Sequence, residues 1–356
     1  MLLMIGYLTT PTSVTGVSLA EFWAWVRYLA AITPHDTDLR LTRSYADLDA
    51  HQKTILSDDF GMGVPMVWLL KHLSLVEIVD GRYFLQRYGA SHGAHQNRTA
   101  KRGPNKTPDF VARDRDGNWH IMECKGTQSG EAFRDRQIGS GVSQKLSIRF
   151  PPRHTGQRLV SGLSIGIEDG NPSHLRIIDP VPDDPVTISE SELEFAKDAA
   201  TRGVMAKLLR STGFEIAAEA VAAPFGKPQA MPPSTRKADK KRVEYLADRD
   251  RLAREELLGG TSSRYLFDDR YRGREVTFQL PRPIYIHGAA ISKVTVKQGI
   301  NLDALDLLRA QPTIATLVDP SRDHWISMMG TNVIQDDEKT ATLQIGDIFR
   351  SELILE

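Results

Sequence analysis

Cysteine is all but missing. Cys124 is the only one in the chain, so no intrachain disulfide can form and no zinc site rich in thiolates can be built. This composition fits a reducing compartment, and the expected location is the cytoplasm. An excess of either charge is missing too: Lys and Arg number 45, Asp and Glu number 45, and the formal net charge is +0. A general polycation coating nucleic acid is excluded, and any nucleic-acid contact must come from local clusters. No apolar run approaches the ~18 residues needed to span a bilayer. The apolar opening, MLLMIGYL, has no basic segment before it and no small-residue cleavage site after it, so neither a signal peptide nor a membrane partner is expected. No phosphate-cradling Walker sequence, internal repeat or long low-complexity tract occurs, and no ATP-driven activity is expected of this chain. What is present is ordinary for a globular protein. The chain has 356 residues, 40% apolar and 25% charged, enough for two or three domains and a sizeable core.

Residues 18–31 predict a helix with an aromatic-rich apolar face, residues 46–57 a second, and residues 61–73 a third and more buried one. Pro65 falls near the start of that third helix, where a missing N–H costs little. LVEIVDGRYFL, TPDFVARD and NWHIMECKG read as strands with turn residues between them. Residues 131–148 are helical in their later part, although Gly139 and Gly141 weaken a helix there. RLVSGLSIGI and HLRIIDP are two further strands. The order α, β, β, β, α, β, β over residues 55–180 predicts a mixed α/β domain around a central sheet. Ser189 and Glu192 have capping-box spacing for a helix reaching about Ser211. Prolines and then basic residues over 224–238 read as a linker, and DKKRVEYLADRDRLAREELLGG as a charged helix ended by Gly259 and Gly260. The divisions expected are a helical extension at 1–50, the central domain at 51–185, a helical segment at 186–223, a linker at 224–242 and a separate C-terminal α+β domain at 243–356.

The chemistry concentrates in TPDFVARDRDGNWHIMECKG. A three-residue loop of Arg115, Asp116 and Gly117 makes it a hairpin, because such loops want glycine at the last, left-handed position. Asp114 then closes against Asn118, and counting outward sets Asp109 opposite Glu123. Side chains alternate along a strand, so Glu123 and Lys125 share a face, with Asp109 beside them, while Phe110, Ala112, Met122 and Cys124 take the apolar face. A slip of one residue would bury Asp109 among those apolar groups, which is costly for a carboxylate. Two carboxylates on one face repel, and a hard divalent cation together with the Lys125 ammonium would offset them. Oxygen-only ligands point to Mg²⁺ or Mn²⁺ rather than Zn²⁺. Those parts suit phosphodiester hydrolysis, where a metal polarises the phosphate and activates water while a lysine positions that water or stabilises developing charge. A solvated, salt-bridged hairpin would also pair Lys125 with Glu123, but Val111 and Ile121 are not solvated neighbours.

Pro108-Asp109, followed fourteen residues on by Glu123-Cys124-Lys125, resembles the signature of the PD-(D/E)xK nuclease superfamily. The resemblance implies a restriction-endonuclease-like mixed sheet flanked by helices, here with an N-terminal helical extension and a C-terminal α+β domain. It implies metal binding by Asp109, Glu123 and the Cys124 backbone carbonyl, and a catalytic role for Lys125. It further implies an acid from the first core helix, Asp58 or Asp59, and a supporting glutamine on the helix after the motif, Gln144 first and Gln137 second. The expected activity is a metal-dependent endonuclease acting on DNA, with RNA also permitted by the chemistry. A part in bacterial defence against foreign DNA, with a homo-oligomer or a defence partner protein, follows by analogy alone. The contrasting reading is a nucleic-acid-binding or assembly module that cleaves nothing by itself.

Local charge agrees with DNA as partner. Arg82, Arg87, Arg98, Lys101, Arg102 and Lys106 precede the motif with no acid among them, and Arg134, Arg136 and Lys145 follow it. A phosphate track is expected from Arg98, Lys101, Arg102, Lys106, Arg134, Arg136 and Lys145. Other patterns mislead. Gly162-Leu163-Ser164-Ile165-Gly166 mimics a nucleophile elbow inside a strand with no helix after it. His92 and His95 lack further metal ligands, and Arg282 to His287 mimics a ribonuclease spacing in a strand.

Overall fold

The computed structural model describes the chain apart from residues 13–19, 34–35, 37, 93–106, 145–147, 182–185, 223–235, 260–262, 287, 315–316, 319–327, 331 and 338. The apolar opening forms a helix, α1 (Leu2–Thr9), buried from Leu3 to Leu8. After α2 (Ala20–Leu29), the two-residue β1 (Arg40–Leu41) and one turn of helix, α3 (Arg43–Ala46), comes α4 (Ala50–His72), a single helix of 23 residues. This corrects the expectation of two helices broken near Gly61. Asp49 caps α4, its carboxylate accepting from the N–H groups of His51 (3.0 Å) and Gln52 (3.1 Å). The glycines serve close approach rather than a break: a Cβ on Gly61 would stand 2.5 Å from the Gly126 nitrogen, and one on Gly63 2.4 Å from Ile5. Pro65 therefore sits inside the helix, not near its start.

A second correction concerns LVEIVDGRYFL. Only β2 (Leu75–Asp80) is strand, and Gly81 begins a helix, α5 (Gly81–His92). The Asp109 carbonyl accepts the Gly81 N–H at 3.0 Å, satisfying one of the free donors at the helix start. Tyr83, Phe84, Leu85 and Tyr88 are all buried, and an apolar run covered on most sides carries too little periodicity to separate helix from strand. Arg87, grouped above with the basic residues, is buried in an ion pair with Asp198 at 2.7 Å.

The expected hairpin is β3 (Phe110–Asp114) and β4 (Trp119–Thr127). The helix α6 (Glu131–Gln144) follows, then β5 (Ile148–Arg149), β6 (Thr155–Ser164), β7 (Gly166–Ile167), β8 (His174–Ile178) and β9 (Val186–Thr187). The central sheet is mixed, ordered β2-β3-β4-β6-β8, with β4 and β6 parallel and the other neighbours antiparallel. A parallel pair needs a crossover, which α6 supplies. One sheet face carries Phe110, Ala112, Met122 and Cys124 into a core shared with α1 and α4, and the other carries Val111, Trp119 and Ile121 toward α5.

The Ser189–Glu192 capping box forms, with the Ser189 N–H donating to Glu192 at 2.7 Å, and opens α7 (Leu193–Ser211). This helix is buried along most of its length and packs on α5 and β2. Then come α8 (Glu215–Ala222) and α9 (Arg236–Gly259), so residues 236–242, expected in a linker, are helical. Their Lys, Arg and Ala are good helix formers once the prolines end. The C-terminal strands β10 (Arg264–Leu266), β11 (Tyr271–Ile286) and β12 (Ala289–Asn301) precede α10 (Leu302–Ala310), and β13 (Val333–Asp336), β14 (Thr340–Ile345) and β15 (Phe349–Leu355) complete an antiparallel sheet ordered β10-β11-β12-β15-β14-β13. This sheet does not stand apart, because α1 packs on α4 as well as on β14 and β15, and one apolar cluster runs from Met122 through α1 to Val296 and Leu353. No helix among the described residues is long and apolar enough to cross a membrane.

The hairpin turn has its own test. Burial pushes the Asp114 carboxyl up, but hydrogen bonds from the Asn118 backbone (2.8 Å), the Asn118 amide (2.9 Å) and His120 Nε2 (3.1 Å) prevail and hold it below the usual range. His120 Nδ1 accepts from Gln157 N–H at 3.0 Å, so Nε2 carries the proton. A depressed pKa stabilises the fold above the unfolded value of ~3.9 and loses that contribution as pH falls through the lower folded value. Asp114→Ala should cost about 1–3 kcal/mol at neutral pH. Denaturant melts of both proteins across a pH series should converge in acid.

Candidate active site

The register expected from the turn is the register observed. Gly117 has φ +86, Asp114 N–H donates to the Asn118 carbonyl at 3.0 Å, and Phe110, Val111, Ala112 and Arg113 pair with Met122, Ile121, His120 and Trp119. Because Asp114 and Asn118 are hydrogen-bonded, alternation turns the N–H and C=O of Met122 and Cys124 toward β3. Strand β3, however, begins only at Phe110. The Asp109 carboxylate takes the missing strand's place, its Oδ2 accepting the Cys124 N–H at 2.7 Å. Asp109 thus stands at the sheet's edge rather than on the face with Glu123. It is held twice, by this bond and by its carbonyl on Gly81.

Glu123 and Lys125 point from the other face of β4 and are joined, Lys125 Nζ lying 2.8 Å from Glu123 Oε1. The Glu123 side chain is 10% exposed and that of Lys125 29%, so the pair is partly withdrawn from water but can be reached. Burial works against the Lys125 charge, yet the hydrogen bond and charge of Glu123, with Asp109 beside them, leave its pKa raised. Lys125 is therefore an ammonium at neutral pH.

The structure separates Asp58 from Asp59, which the sequence could not. Asp59 accepts the Tyr28 hydroxyl at 2.5 Å and is half-buried away from the triad. Asp58 is exposed and lies within the field of Lys125; partial loss of water raises its pKa while the lysine charge works the other way. Asp58 owes this position to the contact between Gly61 and Gly126. Gln128 ties the same elements together, its amide donating to Ser57 Oγ (3.2 Å) and the Lys53 carbonyl (3.3 Å).

On the triad's other side α6 approaches through Gly141, where a Cβ would lie 3.8 Å from both Glu123 Cγ and Lys125 Cε. By local propensity Gly141 only weakens the helix; its signal in the sequence is its place among Gln137, Gly141 and Gln144 on one helical face. Gln137 is half-buried, and its Oε1 finds no hydrogen-bond partner among the described residues. Gln144 ends α6, and its side chain lies outside the description, as do Arg98, Lys101, Arg102, Lys106 and Lys145. Arg136 is exposed, stacked over Phe133 at 5.8 Å. Arg134 departs from its expected place in a phosphate track. It is buried, paired with Asp135 (2.9 Å) and Glu131 (3.1 Å), because Gly162 draws this turn of α6 onto β6.

Among the described residues no group of three or more His, Cys, Asp or Glu is gathered as a metal cluster. The donors that are present fit a hard cation: two carboxylates, from Asp109 and Glu123, and the Cys124 carbonyl turned toward the edge that β3 leaves open. Compared with models of protein families, with curated proteins and with solved structures, the chain matches none.

Proposed function

We propose that the protein is a metal-dependent endonuclease hydrolysing phosphodiester bonds in DNA. The observation that carries this reading is the pinned Asp109 carboxylate beside the Glu123–Lys125 pair at the end of β4. The mixed sheet β2-β3-β4-β6-β8, with α4 ahead of it and α6 crossing between the parallel strands β4 and β6, supports it as a frame for that site. Asp109, Glu123 and the Cys124 carbonyl would hold Mg²⁺ or Mn²⁺, with Asp58 as a further acid. Such an ion supplies Lewis acidity toward a phosphate oxygen and a more acidic water. The chain's own contribution is preorganisation. Two backbone bonds fix Asp109, and Lys125 keeps its proton, so it serves as a fixed positive charge for the attacking water or the developing phosphate charge rather than as a base. A defensive role against foreign DNA belongs to this reading by analogy only.

A second reading, a nucleic-acid-binding or assembly module without cleavage, is favoured by one observation, the lack of a three-ligand cluster among the described residues. Incubating supercoiled plasmid and, separately, RNA with Mg²⁺, Mn²⁺ or EDTA distinguishes them. The proposal expects nicked or linear DNA with either metal and intact DNA with EDTA. Salt-sensitive DNA binding without cleavage under any metal favours the second reading, and preferential loss of RNA changes the substrate.

A further inference from the structure

A cavity of about 210 Å³ opens at the carboxyl ends of the parallel strands β4 and β6, at the first turn of α6. Gly130, Glu131, Ser164 and His174 are among its walls. The crevice beyond the carboxyl ends of parallel strands is a common ligand position. The volume falls below the roughly 300–1,000 Å³ of sites for drug-sized ligands and leaves room for an oxyanion.

The sheet register decides which side chains enter it. Ser164 pairs with Thr127 on β4 and with His174 on β8, and directly opposed residues share a sheet face. Gly162, two residues earlier on that face, lies against α6, where a Cβ would stand 2.7 Å from Ile138 and 2.8 Å from Arg134. The Ser164 side chain therefore points at the first turn of α6. His174 does the same, its Nε2 lying 3.7 Å from Glu131 Oε1. Ser164 is only 6% exposed, and its hydroxyl has no hydrogen-bond partner among the described residues. A buried hydroxyl without a partner is costly, and the space that this one faces is the cavity.

The helix end brings further donors. Gly130 has φ +87 and its carbonyl accepts the Arg134 N–H at 3.1 Å, which makes it the N-cap residue of α6. It has no side chain to act as a cap, so the N–H groups of Glu131, Ala132 and Phe133 are left for an anion at the positive end of the helix dipole. The walls are preformed: the Ile165 N–H donates to the Thr127 carbonyl at 2.8 Å, the Ser129 N–H to Thr127 Oγ1 at 3.0 Å and the Gly166 N–H to Ser173 Oγ at 2.8 Å. The Glu131 carboxylate in the wall is engaged by Arg134 at 3.1 Å, which offsets its charge.

We infer that this cavity binds a phosphate group, held by the N–H groups that open α6, the Ser164 hydroxyl and the His174 imidazole. The group comes either from free phosphate or from the backbone of a nucleic-acid strand. Thr127, the strand partner of Ser164, lies two residues along β4 from Lys125 on the same sheet face. The inference does not rest on the nuclease reading, because none of these residues belongs to the triad and binding is measured without metal or cleavage.

The test is calorimetric titration and thermal melting of the full chain in EDTA at constant ionic strength, with inorganic phosphate, a thymidylate tetranucleotide and, as the phosphate-free control, thymidine. Phosphate should bind and raise the melting temperature, and thymidine should do neither. Tighter binding of the tetranucleotide than of inorganic phosphate marks the strand as the source, and the reverse order marks free phosphate. Ser164→Ala should weaken binding of the preferred source by roughly tenfold, the loss of one hydrogen bond to a charged group. The same variant should melt no lower than the parent when free, because the hydroxyl it removes has no partner; a serine with only a structural role would lower the melting temperature and leave affinity unchanged. Glu131→Gln should strengthen phosphate binding, whereas a cation site would be weakened by it. Absence of binding by both phosphate sources at millimolar concentration, or equal affinity in the parent and Ser164→Ala, overturns the inference.

Discussion

Lys125→Met should reduce plasmid cleavage by roughly 10²–10³-fold, the range for removing one preorganised charge from a reacting centre. The substitution keeps the stem and removes the ammonium 2.8 Å from Glu123. It leaves a largely buried carboxylate unpaired, so it should also destabilise the fold by about 1–3 kcal/mol; rates must therefore be measured where melts show the variant folded. The sign with pH is definite. A raised lysine pKa means that its stabilisation is fully present below the unfolded value of ~10.4 and is lost only as pH rises through the higher folded value. In the metal-free protein Lys125 should therefore add no pH dependence to stability between about pH 6 and 9. Asp109→Asn completes the case, because an amide oxygen can still accept the Cys124 N–H while the charge is gone. It should fold like the parent and cleave as poorly as Lys125→Met. Unaltered cleavage in both variants would remove the triad from the chemistry.

The second large effect is on stability. Gly126→Ala should destabilise the protein by about 3 kcal/mol or more, at or beyond the upper end for overpacking. The added Cβ would fall 1.7 Å from the Ser57 carbonyl oxygen and 3.0 Å from the Gly61 Cα. Both obstacles are backbone, so no rotamer change relieves them and α4 must lift from β4. Because α4 carries Asp58, the same substitution should disturb the surroundings of Lys125. Gly139→Ala is the control. Nothing lies within 4 Å of a Cβ there, and the residue is inside a helix, so alanine should stabilise by up to about 1 kcal/mol. Urea melts of the two variants should shift in opposite directions.

The glycines around this site carry meaning of two kinds. Gly117 was legible at once, because a three-residue loop needs a left-handed residue and that need is local. The register followed, and with it the apolar set Phe110, Ala112, Met122 and Cys124. The box of Ser189 and Glu192 was legible for the same reason, since its bonds span three residues. Gly61, Gly126 and Gly141 carried no such message. Their reason is another segment passing close by, and a single sequence without that segment in place reads them as helix breakers or spacers. The division of α4 into two helices is a consequence of that blindness.

By itself, then, the sequence determined a mixed α/β chain, the hairpin, the pairing of Glu123 with Lys125 on one face and the termini of several helices, because alternation, turn geometry and capping act over a few residues. Only the tertiary structure decided that Tyr28 occupies Asp59 and leaves Asp58 beside Lys125, that Asp109 turns into the sheet edge, that Arg87 and Arg134 are buried in ion pairs, and that α1 joins both sheets in one core. Those outcomes depend on contacts between residues far apart in the chain, where close packing admits one arrangement among many that the local pattern allows.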